Sequence, residues 1–167
     1  LVNASLVLGA TPSVTAISAA TEISARLGFE TMGLDLPIQR GADGEILIVV
    51  GRGGLAASNL ESPGVDPTSL DSGEGVVAVR EIDEQTWVFV LGGDEEGLLA
   101  AARLFAGVLP YTRTLSATSL TQVREDLTAI LENSEVDDSN LRLTQARTRA
   151  GEAGITRLIV GVDATDI

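Results

Sequence analysis

Two stretches decide the fold: SLVLGATPSVTAISAATEISARLGFE, residues 5–30, and WVFVLGGDEEGLLAAARLFAGVLPY, residues 87–111. Each sets a short apolar strand, a glycine, an acidic or hydroxyl cap and an alanine-rich helix in the same order. A strand feeding a helix through a tight turn, used twice, predicts an α/β (or α+β) fold, a mixed sheet with helices packed on it.

In the first copy the strand runs from Ser5 to Gly9. Thr11 is the expected cap, with Pro12 at the first helical position, where a missing N–H costs nothing. Val14, Ile17, Ala20, Ile23 and Leu27 recur at helical spacing and predict the buried stripe, ending at Gly28. A second strand is expected over 31–37 and a turn over 41–44. Ile46 to Val50 is an unbroken aliphatic run of the kind that lies in the centre of a sheet, covered on both faces.

The region 51–75 is the least regular. Gly51, Arg52, Gly53 and Gly54 open it, a short helical turn is expected over 55–59, and Pro63, Gly64, Pro67 and Gly73 punctuate the rest. Residues 75–81 and 86–91 then read as a hairpin around 82–85. The second copy follows, with Asp94 as cap, Glu95 and Glu96 in the first turn, and Leu98, Ala102, Phe105 and Leu109 as the buried stripe.

Beyond Pro110 the texture changes. A hydroxyl-rich connector over 112–119 leads into Leu120, Val123, Leu127, Ile130 and Leu131, an amphipathic helix. An acidic tract over 135–140 follows. Residues 141–148 and 155–162 flank a glycine-bearing turn and read as a hairpin, with a helix over 141–150 as the alternative. Residues 1–116 are thus expected to form the main domain and 117–167 an appended αββ element, an incomplete second domain. The chain opens on Leu1 rather than Met, which predicts a processed protein or a piece of a longer one.

Composition narrows function by what is missing. The 167 residues include no His, Cys or Lys; all 11 basic residues are Arg, against 24 acidic ones, for a net charge of −13. Without His, Cys or Lys there is no ordinary general base near neutral pH, no thiolate nucleophile and no zinc site of nitrogen and sulfur ligands. A non-catalytic protein is the expectation. The negative charge argues against nucleic acid, whose binding rests on clustered cations. No run approaches the roughly 20 apolar residues of a membrane span.

Three sites compete with plain structural readings. Gly51, Arg52, Gly53 and Gly54 after a strand suggest a nucleotide or anion loop, because glycines let a phosphate approach a helix N-terminus and Arg52 could meet its charge. Against this, the spacing departs from the dinucleotide pattern, and the glycines equally suit a plain strand-to-loop turn. Gly92 to Gly97 looks similar, but its three carboxylates suit a helix N-terminus and repel phosphate. No cofactor is expected, although Asp66, Asp71 and Glu74, or Glu135, Asp137 and Asp138, could collect oxygen ligands for Ca²⁺. Solvated acidic loops are the competing reading.

The segment 6–38, then EILIVVGRGG and the second copy, is similar to the N-terminal α/β accessory domain of hexosaminidase-like glycosidases, and to the α/β units of the periplasmic cellulose-synthase regulatory subunit. The resemblance spans roughly residues 5–111 and implies a domain that is not itself the catalytic centre. It implies an accessory or protein-interaction module of a larger cell-envelope or secreted protein, carbohydrate-related, with the rest of a longer polypeptide or another protein as partner. The alternatives are a small-ligand or nucleotide-binding domain using Gly51 to Gly54, and a homo-oligomeric scaffold or surface-layer component.

Overall fold

The aliphatic run Ile46–Val50 becomes a strand buried on both sides, and the rest of the molecule is arranged around it. The computed structural model describes residues 4–31, 45–60, 64–107, 141–152 and 154–162. Within them the chain forms β1 (Ala4–Val7), α1 (Val14–Thr31), β2 (Ile46–Val50), α2 (Gly51–Ala57), a 3₁₀ turn (Pro67–Ser69), β3 (Glu74–Ile82), β4 (Gln85–Gly92), α3 (Glu95–Ala106), β5 (Leu141–Arg149) and β6 (Arg157–Val162). The six strands make one mixed sheet in the order β1-β2-β4-β3-β5-β6. β1, β2 and β4 run parallel, while β3, β5 and β6 join antiparallel.

Alternation along the strands sends successive side chains to opposite faces. Leu6, Ile48, Val50, Val88 and Val90 meet Ala16, Ala19 and Ile23 of α1 and Leu98, Ala101 and Ala102 of α3 on one face. Leu47, Val49, Val76, Trp87, Phe89 and Leu91 build the core of the other, closed by Val65, Leu70 and the half-buried Leu55 and Leu60. Trp87 and Phe89 stack with ring centroids 6.2 Å apart and planes at 13°.

The β3–β4 hairpin forms where expected, through a two-residue turn in which Asp83 and Glu84 both take positive φ, 52° and 63°. That geometry matches the right-handed twist of the flanking strands. Residues 141–162 form the expected hairpin rather than a helix, and β5 pairs with β3, so the hairpin extends the main sheet. The expected strand over 31–37 has its first residue, Thr31, in the last turn of α1 instead; its other residues, the expected domain boundary between 116 and 117, the turn over 41–44, Leu109, the helix over 120–131 and the carboxylates Glu135, Asp137 and Asp138 lie outside the described residues.

Four local expectations need correction. α1 begins at Val14, and its cap is Ser13, whose hydroxyl accepts the Ala16 N–H at 3.1 Å, not Thr11. It also runs through Gly28 to Thr31. Its buried stripe is Ala16, Ala19, Ala20 and Ile23, while Val14 is 81% and Ile17 49% exposed. Small alanines let the helix approach sheet and α3 closely, so they take the inward face and displace the bulkier pair. Finally, α2 starts at Gly51 itself, directly off β2, rather than at residue 55.

Candidate functional site

The chain leaves β1 for α1 on one face, β2 for α2 on the other, and β4 for α3 on the first again. Such reversals at the carboxyl ends of parallel strands are where open α/β sheets form a ligand crevice. Gly9, the Gly51 to Gly54 segment, Gly93 and Asp94 all stand along this edge.

Gly51 makes the sharp exit from β2 with φ +70°, a left-handed conformation that glycine adopts without steric cost. The next turn packs directly on the β1–α1 loop. A Cβ on Gly9 would stand 3.1 Å from the Gly53 main chain, so the β1–α1 loop and the first turn of α2 touch through backbone. This contact spans the reversal between β1 and β2.

Arg52 crosses the second reversal. Its guanidinium donates to the carbonyl of Gly93 at 2.7 Å and to that of Pro67 at 3.3 Å, joining α2, the β4–α3 turn and the 3₁₀ turn. The Gly93 N–H in turn donates to the Glu74 carbonyl at 2.9 Å. Arg52 therefore acts as a tie among three backbone segments, although it remains solvent-exposed.

Asp94 is the densest polar junction on this edge. One carboxyl oxygen accepts the Ser72 hydroxyl at 2.6 Å and the Gly73 N–H at 2.8 Å, and the other accepts the Gly97 N–H at 2.8 Å. The Ser72 hydroxyl, followed by the Gly97 and Gly73 N–H groups, holds its carboxyl down at about 2. The cap is thus also a strap binding the 72–73 turn to α3. Sequence reading identified the cap; nothing in the sequence pointed to Ser72, 22 residues earlier.

The three loop carboxylates take separate partners. Asp66 accepts the Thr68 hydroxyl at 2.7 Å and the Thr68 N–H at 2.8 Å, capping the 3₁₀ turn, and these bonds lower its pKa. Asp71 meets Arg149 at 3.5 Å. Glu74 accepts the Asp71 N–H at 3.1 Å and pairs with Arg147 at 3.3 Å. Burial raises the Glu74 pKa, but the Asp71 N–H and Arg147 outweigh it and the net shift is downward. Among the described residues no group of three or more Asp or Glu converges in a way that could hold a metal ion. The partners Arg147 and Arg149 come from β5, some 75 positions along the chain, and only sheet pairing brings them here.

No model of a known protein family matches the chain, and no curated protein sequence matches it. Among the described residues no helix is long and apolar enough to cross a membrane.

Proposed function

We propose that this chain is a non-catalytic accessory or protein-interaction module of a larger cell-envelope or secreted protein, of carbohydrate-related type. The observation that carries the reading is the state of the sheet's carboxyl edge. At both chain reversals there the protein's own groups meet: the Gly9–Gly53 backbone contact at one, the Arg52 tie to Gly93 and Pro67 at the other. Asp94, Glu95 and Glu96 add negative charge beside them, unfavourable for a phosphate. A chain without His, Cys or Lys brings few groups suited to acid–base or nucleophilic chemistry. The likeness to glycosidase accessory domains supports the carbohydrate-related setting.

A thermal-shift panel of ATP, NAD, Ca²⁺ and chito-oligosaccharides tests this. Binding to the folded state alone raises stability by roughly 2.7 kcal/mol at a ligand concentration of 100 Kd. The expected result is an unmoved Tm throughout, with a monomer by light scattering. A rise of several degrees with a nucleotide would replace the reading with a small-ligand domain. Concentration-dependent assembly without any ligand shift would replace it with an oligomeric scaffold.

A further inference from the structure

Charge is segregated along this chain. Residues 141–162 carry Arg142, Arg147, Arg149 and Arg157 against a single Glu152, a net +3. The remaining seven arginines face 23 acidic residues, a net −16. The positive part is the β5–β6 hairpin, and β6 closes the strand order, with β5 its one neighbour among the described strands. An outer strand presents a row of N–H and C=O groups that another extended chain can pair with.

Register places specific side chains beside that row. Arg157 lies opposite Arg147, and Ile159 opposite Gln145. Arg147 in turn lies opposite Val76 of β3, so all of them share the α2 face of the sheet. Like charges directly opposed on neighbouring strands repel. Arg147 is relieved from the β3 side by Glu74 at 3.3 Å, in a pair whose side chains are only 16% and 13% exposed. Arg157 is exposed and has no ion-pair partner among the described residues. The oblique row Glu74, Arg147, Arg157 therefore runs negative, positive, positive toward the outermost of the described strands on this side. Two residues along on the same face, Ile159 stands 37% exposed.

We infer that the β6 edge is a docking site for an extended peptide segment that adds as a further strand, carrying a carboxylate opposite Arg157 and an aliphatic side chain two residues away, against Ile159. The two-residue spacing follows from strand alternation, which returns a side chain to the same face every second position. Backbone pairing supplies the attachment, and the charge and the aliphatic contact supply selection, as in strand addition generally. The inference deepens the protein-interaction reading above and rests on it.

The test uses the full chain and a fluorescein-labelled decapeptide of β-prone sequence with a central Glu-Thr-Val, read by anisotropy at low salt. Saturable binding is expected, weaker by at least about tenfold when the peptide carries Lys-Thr-Val or the protein carries Arg157→Glu. Arg157→Lys should retain binding, and Arg157→Glu should bind the Lys peptide better than the Glu peptide. Saturating peptide should slow amide exchange across Arg157–Val162. Melting curves establish that the variants fold. Equal binding of both peptides, indifference to Arg157→Glu, or unchanged exchange on β6 would overturn the inference. So would no binding at all, leaving Arg157 as a guard against pairing, and so would β6 protection that rises with protein concentration alone, which assigns the edge to a second copy. These failures concern β6 only; the ligand panel judges the wider reading independently.

Discussion

The two strand–glycine–helix units share a sequence pattern but not a structural fate. β1 is four residues long and outermost among the described strands, and α1 starts from a single cap bond, Ser13 to the Ala16 N–H. β4 is eight residues long and lies between β2 and β3, and α3 starts from Asp94, which also binds Ser72 and Gly73. The first turn of α1 exposes Val14 and Ile17, while the first turns of α3 bury Gly97 and Leu98. The same local pattern thus supports a peripheral element in one place and the structural hub in the other. Position in the sheet sets the difference, because a central strand brings neighbours on both sides for its turn to bind.

The sharpest way to break this comparison is in the strands. Phe89→Ala, fully buried at the centre of the second core and stacked on Trp87, should cost about 3–5 kcal/mol, as aromatic truncations that leave a cavity do. Leu6→Ala on β1 should fall toward the low end of the about 2–5 kcal/mol range for aliphatic truncation. Equal losses in chemical denaturation would show that the two units are not ranked by position.

The caps come next. Ser13→Ala should cost about 1 kcal/mol, and Asp94→Ala should lower Tm by more, because it releases the 72–73 turn as well as α3. The Asp94 carboxyl sits at about 2 in the fold, below its ordinary 3.8, so the folded state favours the ionised form. Its contribution is then complete above pH about 4 and declines as pH falls toward 2. Thermal melts of wild type and Asp94→Asn should differ at pH 7 and converge across that window. A constant gap would remove the carboxylate from the account.

The smallest effect belongs to the exposed turn of α1. Val14→Asp should change stability by no more than about 0.5 kcal/mol, since the side chain is 81% exposed and an acid suits a helix N-terminus. A loss beyond 1 kcal/mol would mean that this face is covered in the working protein.

Much of this architecture was legible in residue order. The double-faced burial of Ile46–Val50, the β3–β4 hairpin, the Asp94 cap and the hairpin over 141–162 all follow from local pattern and turn chemistry. The first turns of α1 were not: Ala20 and Ile23 are buried as the spacing predicts, but Val14 and Ile17 stay exposed and close packing puts Ala16 and Ala19 inside in their place. At the candidate site, the strand ending at Val50 was legible, whereas the helix that begins at Gly51 was not. The contacts of that segment, Gly53 against Gly9 and Arg52 against Gly93, join segments tens of residues apart.

The sequence by itself determined the fold class, the strand and helix order along most of the described chain, and an acidic chain without His, Cys or Lys. Those are consequences of periodicity, capping and composition, which act over a few residues. Only the tertiary structure decided that Arg52 ties backbone carbonyls, that Asp71 and Glu74 meet arginines from β5, and that Arg157 is left at the sheet's margin beside a like charge. These depend on sheet order and register, which bring together residues that no local pattern relates.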